Sequence, residues 1–332
     1  MYYLVGISLL FATVYAVNLT VSLVMTAGWR YLAASAAQWS ASTRSNLIFL
    51  FRVLPLTIAI LITFGIILPA FILFEPDTPK ETIGIKMAVV VCISAFGSAA
   101  AIYRIVASWW QTRQLIGDWM TTSKPVEIEG VSMPAYKLRH PFPVIAVVGI
   151  FRPRIFVAEQ VFSELDKPEL VAALSHEAGH ISSFDNLKRV AMRVCRDLLV
   201  FPLGKSLDSG WLLAAESAAD EYAAVRGGSG YALNLASALV KIGRITPIGQ
   251  TQRLPIAAYL IEPDDTSLAQ RVEGLLSFAD RPFGVTERSP CLTSMFWASL
   301  ALTIVAAILI VTSTPFLQEV HEVTESVLHR LQ

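Results

Sequence analysis

The chain is 332 residues long, 54% hydrophobic and 16% charged, where soluble domains carry about a quarter charged residues. Its charges balance to a net of zero, so nothing in the charge suggests a nucleic-acid partner. Three widely spaced cysteines, Cys92, Cys195 and Cys291, offer neither a CxxC pair nor a disulfide framework. The composition points instead to the lipid bilayer as a partner.

In chain order, the first element is an apolar run over residues 2–25, closing at Gly28-Trp29. A bilayer core takes about 20 apolar residues in helix, so this run spans. It has no basic leader region and no clear small-residue cleavage site, so it reads as a retained helix. A second run, 50–74, carries Pro55 and Pro69, tolerated in membranes where neighbours satisfy the freed carbonyls. The third, 87–110, ends in the interfacial pair Trp109-Trp110, and a fourth covers 292–317.

Orientation follows the Lys and Arg bias at the helix ends. Arg30, Arg44 and Arg52 lie around the first link, with no acid, and Arg113, Arg281 and Arg288 flank the middle region. The second link has only Lys80 and Lys86, and the tail only Arg330. The bias predicts a multi-pass protein of the cell (inner) membrane with both termini outside and the middle region in the cytosol. The expected plan is a membrane domain over 1–110, a cytosolic domain over 111–290, a fourth helix over 291–317 and a short external tail over 318–332.

Within the middle region, β-branched runs bounded by Pro and Gly predict strands at 144–148 and 155–157. Pro141 and Pro143 ahead of the first argue for an edge strand. Helical pattern then takes over. Asp166 with Glu169 forms a capping box, with Pro168 in the tolerated first turn. A second helix over 187–199 carries the stripe Arg189, Arg193 and Arg196, either a solvated face paired with Asp185 and Asp197 or a surface lying on anionic lipid. A third, over 209–226, is expected to stop at Gly227-Gly228.

The chemistry centres on His176-Glu177-Ala178-Gly179-His180. Residues four apart share a helix face, so both imidazoles can grip one metal ion. Glu177 is close enough to act on a water at the metal without being a ligand, the arrangement of a general base. A catalytic zinc site takes three protein ligands and keeps one position open. Glu216, mid-helix among alanines, is the best third ligand, because a buried carboxylate there needs a partner. Asp220, four residues on, and Asp185, five after His180, are placed to hold the second ring nitrogen of each imidazole. The plainer alternatives are a surface carboxylate at Glu216 like neighbouring Glu221, an arginine partner for Asp220, and a helix end at Asp185. An intramembrane protease is rejected, because Glu164, Asp166, Lys167, Asp185, Lys188 and Arg189 flank the motif too closely.

His176-Glu-x-x-His180, Asp185 and Glu216-Ser-Ala-Ala-Asp220 together resemble the gluzincin integral-membrane peptidases, which include an HtpX and CAAX-protease type and a BlaR/MecR type. The run Gly149-Ile-Phe-Arg-Pro-Arg-Ile155, the zinc helix that follows, and Arg271-Val-Glu-Gly-Leu-Leu276 are closer to the BlaR/MecR type. The resemblance implies an α-helical membrane protein with an α+β cytosolic zincin-like metallopeptidase domain and about four transmembrane helices. It also implies one zinc ion and an edge strand, here Val144, Ile145, Ala146, Val147 and Val148, along which a peptide substrate pairs. BlaR/MecR receptors carry an extracellular penicillin-binding sensor after the fourth helix, and here about fifteen residues follow it. The function expected is a regulatory zinc endopeptidase acting on a cytosolic or membrane-associated protein such as a repressor. The alternatives are an HtpX-like quality-control protease and a non-enzymatic signalling or scaffold protein with a structural zinc.

Overall fold

The computed structural model describes residues 2–75, 84–128, 134–199, 204–246, 257–259, 265–279 and 314–331. Among the described residues, three helical stretches are long and apolar enough to cross a membrane. They are α1 (Tyr2–Ala36), the continuous run of α2 (Ala41–Ile62) into α3 (Leu68–Phe74), and α4 (Ile85–Thr122). A π-helical segment, Thr63–Ile67, joins α2 to α3. It lies where the ring of Pro69 would strike the carbonyl of residue 65 in a regular helix, and the wider turn relieves that clash. The expected fourth span lies outside the described residues except for its last four. Those four begin a further helix, α10 (Thr314–Leu331), so the expected tail is helical. Leu317 of α10 is buried, and the His321 ring lies 6.0 Å from that of Phe74 at the end of α3.

At 35 and 38 residues, α1 and α4 run well past the roughly 30 Å of a bilayer core. Their ends build the domain that follows. Trp119, near the end of α4, packs edge-on against Phe156 with ring centroids 5.1 Å apart. Trp29 of α1 and Ile48 of α2 share a buried cluster with Met192, Leu207 and Trp211. Glu221, read from sequence as a surface carboxylate, accepts from the backbone N–H of Ala41 at 3.3 Å and so caps the start of α2.

Among the described residues the sheet has five strands in the order β1-β2-β4-β3-β5: β1 (Lys124–Val126), β2 (Ala135–Leu138), β3 (Ile145–Val148), β4 (Arg154–Ala158) and β5 (Ala257–Tyr259). The expected edge strand is corrected by this order. β3 pairs antiparallel with β4 on one side and with β5 on the other, Val147 standing opposite Ala258. All four of its residues are buried. An unbroken β-branched run without polar alternation is the signature of an inner strand, and it outweighs the prolines upstream.

Against this sheet pack α5 (Glu159–Glu164) and α6 (Lys167–Ser182); α7 (Asp185–Asp197) and α8 (Lys205–Ile245) pack on α6, and α9 (Asp265–Ala279) packs on α8. The expected stop in α8 is a kink: Gly228 leaves helical geometry with φ 73° and ψ −164°, and the helix resumes. The arginine stripe of α7 is no free face. Arg189 sits 3.6 Å from Glu216, Arg193 3.4 Å from Ser108 of α4, and Arg196 3.6 Å from Asp208 of α8.

Candidate metal centre

The site begins with the capping box of α6. Glu169 accepts from the N–H of Asp166 at 2.8 Å, and it also binds Ser237 Oγ (2.6 Å) and Lys241 Nζ (2.8 Å) of α8. That clamp fixes one end of the α6–α8 contact. At the other end is Gly179, between the two histidines. A Cβ there would stand 3.1 Å from Ala219 Cα and 3.3 Å from Tyr222 Cβ. The missing side chain lets α8 approach closely where Glu216 and Asp220 lie. Between α6 and α7 the chain turns through Phe184, left-handed at φ 55°, and this tight turn brings Asp185 back onto His180.

The resulting cluster is almost fully buried. His176 and Glu177 are 0% exposed, His180 2% and Glu216 3%. His176 Nε2 and His180 Nε2 are 3.1 Å apart, and each is 3.4 Å from an oxygen of Glu216. Four-coordinate zinc with bonds of about 2.0–2.1 Å sets neighbouring donors about 3.4 Å apart, so the three atoms are spaced to hold one ion. On the far side of each ring, His180 Nδ1 donates to Asp185 at 2.7 Å, and Asp220 stands 2.8 Å from His176 Nδ1. Those carboxylates favour the tautomer whose Nε2 lone pair points at the shared centre. Two facing lone pairs repel unless a cation or proton lies between them. Among the described residues, neither carboxylate oxygen of Glu177 has a hydrogen-bond partner, an arrangement costly to bury without a ligand.

One residue at the centre carried no assigned role in the sequence reading. Arg271 of α9, 9% exposed, donates to both oxygens of Asp220 from Nε (2.9 Å) and Nη2 (2.7 Å). Its Nη1 is 3.2 Å from Glu216. Only the family-like segment that it opens marked it in the sequence.

These charges tune one another. Burial pushes the Glu177 carboxyl up to about 7, against the opposing pull of the two imidazoles. Burial would lower His180, but Glu216 and Asp185 outweigh it and hold the imidazole up at about 10. Burial would raise Glu216, yet His180 and Arg271 keep it well below the usual carboxylate range. Without metal, a proton on His180 therefore stands where a cation belongs.

Residues 145–244 match peptidase family M48. That stretch runs from β3 almost to the end of α8 and contains both histidines, Glu177, Asp185, Glu216 and Asp220. No curated protein matches the chain. The match, the three apolar helices and the His-His-Glu cluster together support a membrane-anchored metallopeptidase with a protein substrate.

Proposed function

We propose that the protein is a zinc endopeptidase with a regulatory role, cutting a cytosolic or membrane-associated protein at the face of the membrane. The observation that carries this reading is the pairing of a three-donor cluster with an orphaned carboxylate beside it. His176, His180 and Glu216 would hold one zinc, which would supply Lewis acidity and a water of lowered pKa. Glu177 takes the proton of the attacking water and returns it to the leaving amine. Asp185 and Asp220 hold the imidazoles in register, and Arg271 holds Asp220. A purely structural zinc would be closed by a fourth protein ligand and would have no use for a buried, unpaired Glu177.

The regulatory role rests on the likeness of the sequence to the BlaR/MecR type. The cytosolic setting rests on the arginine bias of the first link and the domain flanks. Purified protein should hold about one zinc, and Glu177→Gln should retain it while cleavage of a protein substrate falls about 100-fold. Cleavage at the wild-type rate by that variant would remove Glu177 from the reaction. Full zinc occupancy in Glu216→Ala would move the third ligand elsewhere.

A further inference from the structure

A second set of metal-binding side chains meets at the end of α3. The run from Ala41 to Phe74 is 34 residues of unbroken helix, a rise of about 50 Å. Its first turn is capped by Glu221 of α8, the helix that carries Glu216. Its last turn therefore lies a full bilayer thickness away from the candidate metal centre.

Glu75 follows directly. Its N–H bonds to the carbonyl of Phe71 at 3.0 Å, and its side chain is 4% exposed. α10 packs on α3 here, and it does so with one face. Leu317, His321 and Glu325 succeed one another at i,i+4 spacing and so share a stripe. Buried Leu317 anchors the stripe, and the His321 ring is tilted 33° to that of Phe74.

The stripe brings three donors to one place. His321 Nε2 is 3.8 Å from Glu75 Oε2 and 3.7 Å from Glu325 Oε1, and one donor atom from each residue lies within 4.8 Å of the other two. Both nitrogen–oxygen distances are too long for hydrogen bonds. The groups converge on a common point without bonding across it. Donors around a four-coordinate zinc stand about 3.4 Å apart, so the histidine contacts are within a few tenths of an ångström of that spacing. The Glu325 side chain, 43% exposed, has room to supply the remaining closure. One imidazole with two carboxylates suits zinc and its first-row neighbours, whereas calcium and magnesium favour oxygen alone.

We propose that Glu75, His321 and Glu325 form a second divalent-cation site, selective for zinc over calcium and magnesium, which staples α10 to the end of α3. With one ligand half-exposed, it binds more weakly than the buried centre. It therefore fills when zinc is added and empties on dialysis. It stands independently of the peptidase chemistry.

The test uses the full chain in neutral detergent, dialysed until only the tightest-bound zinc remains and then titrated with zinc. Calorimetry follows uptake, and mass spectrometry follows amide exchange over residues 317–325. One further zinc should bind. At free zinc about ten times its dissociation constant, exchange through undocking of α10 should slow about ten-fold. Glu75→Gln, His321→Phe and Glu325→Gln should each weaken that binding by more than the roughly 10-fold that loss of a ligand's outer partner costs. His321→Phe keeps a ring against Phe74, and Glu325→Gln alters a half-exposed side chain, so α10 stays docked in both. The zinc of the buried centre should be unchanged in all three variants. Absence of a further zinc overturns the proposal, as does a further zinc that binds the three variants as it binds the wild type. Zinc slowing exchange equally in His321→Phe overturns it too. Calcium slowing exchange as well as zinc does would leave a carboxylate site without the imidazole, and that also overturns it.

Discussion

Arg271 shows how the metal centre is held at the scale of single residues. Removing one partner of a buried ion pair leaves the other charged and desolvated, at a cost of about 3–5 kcal/mol. Arg271→Ala removes the bidentate partner of Asp220 and the nearest guanidinium to Glu216. It should lower the thermal unfolding temperature in detergent and weaken zinc binding by 10-fold or more. Arg271→Lys, with the charge but no planar fork, should recover part of each; an unchanged unfolding temperature in the alanine variant would sink this account. The protonation of His180 gives a second expectation. Its pKa in the metal-free fold, about 10, lies above the unfolded value, so its stabilising contribution is complete below about pH 6.5 and is lost as pH rises towards 10. Zinc competes with that same proton, so its binding strengthens over the same interval. Metal-free protein should melt at lower temperature at pH 9 than at pH 6.5, while the increment from added zinc grows; melting curves at the two pH values check both. The histidine pair was legible from sequence because metal ligation imposes an i,i+4 spacing on one helix. Arg271 was not, because its contact with Asp220 spans 51 residues and depends on how α9 packs on α8.

At the scale of elements, helices were easier to read than strand neighbours. Apolar length marks a membrane helix on its own, and the capping box at Asp166 marks the start of α6. A strand's place in a sheet depends on partners that may come from anywhere in the chain. β3 takes its outer neighbour, β5, from far downstream, and no local pattern around residue 146 encodes that. Covered on both sides, Ala146 cannot lose its N–H without breaking a ladder. Ala146→Pro should therefore yield little folded protein, with low monodisperse recovery and low zinc content. Well-folded Ala146→Pro protein would mean that β5 does not hold the sheet as described.

For the whole molecule, the boundary near residue 110 is not a physical seam. α4 passes it without a break, and the cluster of Trp29, Ile48, Met192, Leu207 and Trp211 joins the ends of α1 and α2 to the metal-bearing helices. A fragment of residues 111–279 would expose Trp211, Leu207 and Met192 as one apolar patch. Such a fragment should aggregate and bind zinc poorly, as size-exclusion chromatography and metal analysis would show; a monomeric fragment with full zinc would make the membrane helices mere anchors. For orientation, a reporter inserted between residues 115 and 285 should read as cytosolic and one after residue 332 as external, in line with α10 lying at the end of α3 remote from Ala41 and the metal centre.

The shared cluster also bears on how the chain is made. Synthesis proceeds from the amino terminus, so α1, α2 and α4 leave the ribosome before the first histidine of the motif. Trp29, Ile48 and Trp119 are then already in place on the apolar helices that carry them. The later helices fold onto a template that the membrane has set in place, and a nascent chain that failed to insert would lack the surface on which α7 and α8 close. Failed insertion would thus leave the candidate metal centre unassembled.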